Sequence, residues 1–222
     1  MRPQHAAVIG LDAFGFAVAE ELARRGCDVV CVDGDMERVQ AIKDLVVNAV
    51  QADATDEKAL RAIGMSEVDA AVISPGEDLG ASILTAMILL ELGVKEIVVK
   101  VSTELQARAL MRLGVSWVVV PERDMGKRAA ERLLAPHVVE RVQLPDGYFI
   151  EGIVAPDEFL DKSISDLRFR SRFAGVSVLA IKRQAANRTE DIVVNPTRYD
   201  RIMPDDLLIV VGREKDLAKL RG

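Results

Sequence analysis

A short segment near the start of the chain has the residue types and spacing that hold nucleotides. Gly10 and Gly15 close the segment Gly10-Leu11-Asp12-Ala13-Phe14-Gly15, which directly follows the apolar run 6–9. Glycines in such a turn let backbone N–H groups and a helix N-terminus face a phosphate. Asp33 ends a second apolar run, 18 residues after Gly15, where an acid can accept hydrogen bonds from ribose hydroxyls. The chemistry predicted here is recognition of a phosphate and a ribose.

One position departs from the Gly-x-Gly-x-x-Gly spacing, because Asp12 replaces the middle glycine. A carboxylate about 4 Å from a phosphate charge repels it by about 4 kcal/mol at an effective dielectric constant of about 20. A metal ion or a lysine could offset this repulsion, and a ligand with less phosphate charge would avoid it. The segment therefore predicts a strand–turn–helix unit, while phosphate binding stays open, and a unit that binds nothing is the alternative.

The elements that must position these residues alternate between strand and helix as far as residue 135. Apolar strands are predicted over 6–9, 29–33, 48–52, 70–73, 96–101 and 117–120. Helices are predicted over 14–25, 36–45, 56–63, 78–92, 103–113 and 123–134, with Asp78 and Thr103 as N-caps. This alternation predicts an α/β fold class: a Rossmann-like, doubly wound parallel sheet in a domain over 1–135, which ends with the crossover helix 123–134.

The pattern changes after Pro136, where strands follow one another closely. Strands over 138–144 and 148–154 are joined by Pro145-Asp146-Gly147, a strong turn signal. A hairpin over 177–182 and 191–194 is connected through 184–187, and a last strand (207–211) precedes a last helix (214–220). Ser163 is predicted to cap a short helix over 163–169. Residues 136–222 thus form a small α+β C-terminal domain.

Composition restricts the classes of function. Half of the 222 residues are hydrophobic, and the formal net charge of −6 disfavours a non-specific nucleic-acid binder, so no nucleic-acid partner is expected. Cys27 and Cys31 are too far apart along a strand to form a disulfide. They are interpreted as small apolar side chains of a protein in a reducing cytosol. No signal peptide or membrane-spanning run is visible, so a membrane role is expected to come through a partner.

Two further places at the ends of predicted strands are candidate contacts for a nucleotide. Asp53-Ala54-Thr55 follows the third strand at the ligand-binding edge of such sheets, although Asp53 and Thr55 could equally cap the helix that starts at Asp56. Lys100 ends the fifth strand, and if buried it needs a partner, which phosphate, Asp12 or Glu122 could supply. An exposed strand-end lysine is the alternative.

Five motifs in order together resemble regulator-of-K⁺-conductance proteins of the KtrA/TrkA type over essentially the whole chain. The first three are the run from Val8-Ile9-Gly10 to Gly15, then Val32-Asp33, then Asp53-Ala54-Thr55. The fourth is Pro121-Glu122-Arg123-Asp124-Met125-Gly126. The fifth, in a lobe similar to TrkA-C, combines 175–182, Asn195-Pro196 and Pro204-Asp205-Asp206-Leu207-Leu208. The length matches a single-repeat, KtrA-like subunit.

The resemblance implies a cytoplasmic regulatory subunit that lies against the inner face of the membrane through a KtrB/TrkH-like K⁺ transporter or channel. Such subunits form homodimers that assemble into rings, commonly octamers. The resemblance also implies three kinds of ligand. These are ATP, ADP or NAD(H), then Ca²⁺ or Mg²⁺ held between paired domains with help from Glu122, and cyclic di-AMP bound at the C-terminal lobe. Relatives often carry an arginine at the position of Ala13 that reaches the terminal phosphate, and its absence, like Asp12, disfavours triphosphate binding.

The candidate residues follow from the motifs and the resemblance together, and no catalytic residue is predicted. The predicted nucleotide-binding residues are Gly10, Asp12, Ala13, Phe14, Gly15, Asp33, Asp53, Ala54, Thr55 and Lys100. The predicted metal ligand is Glu122, although a carboxylate at the start of a helix is also stabilised by the helix dipole alone.

Two other functions remain as alternatives. An NAD-dependent oxidoreductase is compatible with the first domain, since fold does not fix function. However, the histidines are His5 and His137, and neither Tyr148 nor Tyr199 has a lysine at helical spacing for acid–base work. The second alternative is a ligand-sensing module of another ion transport system, which would bind its ligand and change conformation in the same way as a K⁺ regulator.

Overall fold

The computed structural model describes residues 3–74, 78–135, 137–184 and 190–221. The chain divides into two compact units, Met1–Met125 and Gly126–Gly222. Within the described residues, no helix is both long and apolar enough to cross a membrane.

The first unit is built on a six-stranded parallel sheet in the order β3-β2-β1-β4-β5-β6. Its strands are β1 His5–Ile9, β2 Asp28–Asp33, β3 Asn48–Gln51, β4 Ala70–Ile73, β5 Glu96–Lys100 and β6 Trp117–Val119. Its helices are α1 Ala13–Arg24, α2 Met36–Ile42, α3 Glu57–Ala62, α4 Leu79–Glu91 and α5 Glu104–Leu113. This confirms the predicted doubly wound sheet, and strand order reverses between β1 and β4, the point where such sheets bind ligands.

The sheet forms where the sequence is rich in small and β-branched apolar residues. Ala7, Val8, Val29 and Cys31 are completely buried because helices cover both faces of the central strands. The predicted N-caps are confirmed: Asp78 accepts a hydrogen bond from the Ala81 N–H, and Thr103 forms a reciprocal capping box with Gln106.

The helix α6 Pro121–Leu134 contains the border between the two units. The second unit is a five-stranded antiparallel sheet in the order β10-β9-β11-β8-β7. Its strands are β7 Val138–Gln143, β8 Tyr148–Val154, β9 Ser177–Gln184, β10 Glu190–Val194 and β11 Leu207–Arg213, and its helices are α7 Phe169–Arg172 and α8 Glu214–Arg221. The predicted α+β character of this lobe is confirmed.

The predicted helix over 163–169 is wrong. Ser163 and Asp166 do exchange the hydrogen bonds of a helix start: the Ser163 N–H and hydroxyl donate to the carboxylate, and the Asp166 N–H donates to Ser163 Oγ. The turn does not propagate because Arg168 adopts a left-handed backbone, with φ of 47°. A single helical turn, α7, starts only at Phe169.

Two features of the predicted C-terminal lobe lie outside the described residues. These are Pro136, at the predicted end of the crossover helix, and the hairpin connection between β9 and β10. The two hairpin strands themselves are described and pair in antiparallel fashion, as predicted.

Candidate functional site

The glycine turn between β1 and α1 is shaped by two close backbone approaches. Gly10 has a φ of +89°, and its N–H donates to the Val32 carbonyl at 2.8 Å. A Cβ atom added to Gly15 would lie 1.9 Å from the Gly10 carbonyl oxygen. The first position needs glycine for its backbone angle, and the second needs it because the helix passes directly over the turn.

Asp12 lies at the N-cap of α1 and its carboxylate collects three donors. Its Oδ1 accepts hydrogen bonds from the Gly15 N–H at 2.9 Å and from the Ser74 hydroxyl at 2.7 Å. Its Oδ2 lies 2.6 Å from Lys100 Nζ. The Asp12 and Lys100 side chains are only 20% and 15% exposed. Lys100 also lies 3.8 Å from Glu122, so the alternative of an exposed strand-end lysine is wrong.

The environment of Asp12 favours its ionised form. Partial burial alone would raise its pKa, but the Gly15 N–H, the Lys100 ammonium and the Ser74 hydroxyl all stabilise the carboxylate. The net result is a pKa below the ordinary value of 3.8. Asp12 therefore carries a negative charge at neutral pH, and Lys100 is the cation that balances it.

Asp33 ends β2 beneath the glycine turn and is 9% exposed. Its Oδ2 accepts a hydrogen bond from the Leu11 N–H at 2.5 Å, and its Oδ1 accepts one from the Asp35 N–H at 2.8 Å. Arg38, on α2, brings a guanidinium nitrogen to 3.6 Å from Oδ2. The carboxylate thus ties the end of β2 to the turn, and each oxygen retains capacity for one further donor.

A cleft of about 240 Å³ opens beside Asp33 at the carboxyl ends of the strands. It is lined by Ile9, Gly10, Val32, Asp33, Gly34, Arg38, Ala52, Ala54 and Ser74. The position at the reversal of strand order is where doubly wound folds take ligands. Gly10, Asp33 and Ala54 are therefore brought together at one cleft, as the predicted binding role requires.

Four other predicted residues, Ala13, Phe14, Asp53 and Thr55, do not line this cleft. Ala13 and Phe14 are in the first turn of α1, and Ala13 is exposed. Asp53 is also exposed, and its Oδ1 accepts hydrogen bonds from the N–H and the hydroxyl of Thr55, which lower its pKa. The alternative that Asp53 or Thr55 caps α3 is wrong, because Asp56 accepts the hydrogen bonds at the start of that helix.

Two residues of the site are not among the predicted binding residues. Ser74 directly follows β4 at the ligand-binding edge of the sheet, a position that makes it a candidate, and it bridges the cleft and Asp12. Arg38 lies on α2 five residues after Asp33, and nothing in the local sequence distinguishes it from the other surface arginines.

The predicted metal ligand Glu122 is 68% exposed at the start of α6, and Lys100 is its ion-pair neighbour. Within the described part of this single chain, no three His, Cys, Asp or Glu side chains are grouped so as to hold a metal. A site shared between paired domains therefore stays a prediction.

Comparison with known domains identifies the family. Residues 6–121 match the TrkA-N domain, and residues 149–222 match the TrkA-C domain. The chain belongs to the KtrA/TrkA family. This confirms the resemblance drawn from the five motifs.

Full-length relatives within the KtrA/TrkA family support the assignment. Ktr system potassium uptake protein C of Bacillus subtilis (strain 168) is 33% identical over 213 residues, covering 96% of this chain and 94% of that protein. Ktr system potassium uptake protein A of Vibrio alginolyticus is 36% identical over 212 residues, again covering 96% and 94%. The chain is therefore homologous to potassium uptake proteins over nearly its whole length.

A solved structure extends the likeness to three dimensions. The GsuK channel bound to NAD aligns with a TM-score of 0.64 at 17% identity, covering all of this chain and 40% of the channel chain. The chain thus spans less than half of that channel's length, and at this identity the likeness shows the fold alone.

Proposed function

We propose that this chain is a cytosolic regulatory subunit of a membrane K⁺ uptake system. It acts at the inner face of the membrane through a KtrB/TrkH-like transporter or channel, by binding rather than by catalysing a reaction. The observation that carries the proposal is the match to Ktr potassium uptake proteins over 96% of the chain. The ligand-type cleft at the reversal of strand order supports the regulatory part of the role.

The proposed mechanism is a shift between conformations of a ring built from homodimers, with eight copies as the expected number. A ligand moves such an equilibrium only by its difference in affinity for the two states. A shift from 1:99 to 99:1 takes about 5.5 kcal/mol, and eight copies can add small contributions to reach that value. The proposed division into domains 1–135 and 136–222 places α6 at the end of the nucleotide-binding domain.

Three kinds of ligand are proposed for this regulator. A nucleotide, either ATP/ADP or NAD(H), is supported by the cleft that Gly10, Asp33 and Ala54 share. Ca²⁺ or Mg²⁺ would use Glu122 from paired domains, because hard cations prefer carboxylate oxygens. Cyclic di-AMP at the C-terminal lobe rests on family resemblance.

The test is a transport measurement with purified components. A KtrB-like transporter is reconstituted in liposomes, and K⁺-dependent rubidium uptake is measured while the chain is added over a range of concentrations. We expect saturable binding to the liposomes and a change in uptake rate that depends on added nucleotide. Light scattering should give a particle of about eight times the 24.2 kDa chain.

Matched variants show whether the cleft is responsible. Asp33→Asn removes the carboxylate charge in the cleft, whereas Asp69→Asn makes the same change where Asp69 bonds to the Gln4 and His5 N–H groups at the other end of the sheet. Nucleotide dependence should be lost in the first variant and kept in the second. An uptake rate that never responds to the chain would refute the proposed function.

A further inference from the structure

Three groups that could hold a phosphate at the glycine turn converge on one side chain of the protein itself. They are the Gly15 N–H at the start of α1, the Ser74 hydroxyl and the Lys100 ammonium. A backbone N–H at a helix start, a hydroxyl and a lysine are the donors that bind phosphates in proteins. Here each of them is bonded to the Asp12 carboxylate.

This arrangement changes what an incoming phosphate would meet. The lysine charge is already balanced by Asp12 at 2.6 Å, and the helix N–H and the hydroxyl are already used at 2.9 and 2.7 Å. A phosphate would have to displace the carboxylate from all three donors or lie against a negative charge. Both routes are unfavourable, and the two side chains are largely buried, so water screens their charges only partly.

The neighbouring cleft is not filled in this way. Asp33 keeps acceptor capacity on both carboxylate oxygens, which suits the paired hydroxyls of a ribose. Ala52 and Ala54 supply an apolar surface, and Arg38 supplies a planar guanidinium at the rim. A flat heterocyclic base can pack on such surfaces.

We propose that Asp12 is a built-in substitute for a ligand phosphate, so that the cleft binds a nucleoside in preference to a nucleoside triphosphate. This changes the ligand class of the proposed function from nucleotides to nucleosides, and it rests on that proposal only in taking the cleft as the ligand site. The consequence is a reversed selectivity between nucleoside and triphosphate. The part of the site that normally binds phosphate does not affect the affinity for a nucleoside and lowers the affinity for a triphosphate.

The test compares adenosine and ATP by calorimetry on the full chain. We expect adenosine to bind at least tenfold more tightly than ATP, a difference of about 1.4 kcal/mol. In Asp12→Gly the three donors are released, and ATP should become the tighter ligand while the affinity for adenosine changes little. Glu21→Gln removes one negative charge from the far end of α1 and should leave the ratio unchanged.

Several outcomes overturn the inference. ATP binding as tightly as adenosine to the natural chain would refute it, as would absence of binding of both ligands. An unchanged ratio in Asp12→Gly would also refute it. The comparison of adenosine with ATP on the natural chain does not depend on any variant folding. Asp12→Asn keeps an oxygen to cap α1 but removes the charge, so this variant should also shift the ratio of affinities toward ATP.

The result is separable from the test of the proposed function. If the chain changes K⁺ uptake but shows no preference for adenosine, the inference fails alone. If it prefers adenosine but leaves uptake unchanged in every condition, the regulatory function fails and the reversed selectivity stands.

Discussion

Replacing Lys100 by methionine should destabilise the first unit by about 1–2 kcal/mol. A hydrogen bond to a charged group contributes about 1.5–3 kcal/mol, but Asp12 keeps the Gly15 N–H and the Ser74 hydroxyl, and methionine retains the apolar stem. Asp12→Ala should cost more, about 2–3 kcal/mol. It removes the cap of α1, at about 1 kcal/mol, and leaves Lys100 with Glu122 at 3.8 Å.

The double variant tests whether the two side chains act as a pair. Since each single change already breaks the contact, the double variant should be less unstable than the sum by a coupling of about 1–2 kcal/mol. Urea unfolding followed by fluorescence reports on the first unit, because Trp117 on β6 is the one tryptophan of the sequence. Far-UV circular dichroism provides a second probe of the same transition.

An exposed ion pair serves as the control for this cycle. Glu21 lies on the surface of α1, and Arg25, four residues later, is the C-cap of that helix. Their coupling should be far smaller because water screens both charges. A coupling below about 0.3 kcal/mol between Asp12 and Lys100 would be within ordinary additivity. That result would refute the conclusion that Lys100 is held by Asp12.

Three further outcomes are expected. Gly15→Ala should destabilise the first unit by roughly 3 kcal/mol or more, because its Cβ would overlap the Gly10 carbonyl; a melting temperature equal to that of the natural chain would contradict this. The folded pKa of Asp12 is lowered, so the stabilisation from its charge should be complete above an unfolded pKa of about 3.8 and lost as pH falls through the folded pKa. When the free energy of unfolding is measured against pH, the values for the natural chain and for Asp12→Asn should therefore become equal only in acid. Cys31 is fully buried with a pKa raised to about 12 by burial, so mass spectrometry should find it alkylated only after urea unfolding; rapid labelling of the folded chain would show the strand to be accessible.

The architecture of the first unit could be predicted from sequence because its signals are local and repeated. Each apolar run is short, each is followed by a helical stripe, and caps such as Asp78 and Thr103 mark helix starts within one residue. Periodicity of this kind depends on few residues at a time. Helix ends were less well defined: α2 ends at Ile42, three residues before the predicted end.

The failure at 163–169 has a physical cause that the pattern does not contain. Ser163 and Asp166 satisfy the rule for a helix start, but the next residues are fixed by packing of Phe159, Phe169 and Phe173, whose rings lie 5.3–5.7 Å apart. Burying three aromatic rings stabilises the lobe by more than one extra helical turn would. Non-local packing of this kind overrides a local signal.

The residues of the site could be predicted from the sequence, but the hydrogen bonds and ion pairs between them could not. Asp33 and Lys100 are identifiable from their places at strand ends, Asp12 is identifiable as the residue that replaces a glycine in the turn, and Lys100 needs an anion if it is buried. Which of three anions it meets depends on how α1 and β5 are brought together, 88 residues apart in sequence. Arg38 reaches Asp33 only through the path of the chain between β2 and α2, which no motif records.

The contact between Asp12 and Lys100 also makes the two residues unequal when only one of them changes. A lysine at position 100 facing a glycine at position 12 would still have Glu122 within 3.8 Å. An aspartate at position 12 facing an apolar residue at position 100 would leave a largely buried charge without a cation, which is costly. The two single-residue intermediates therefore differ in kind: one leaves the lysine with a second, more exposed anion, and the other leaves a largely buried carboxylate with the Gly15 N–H and the Ser74 hydroxyl as its donors.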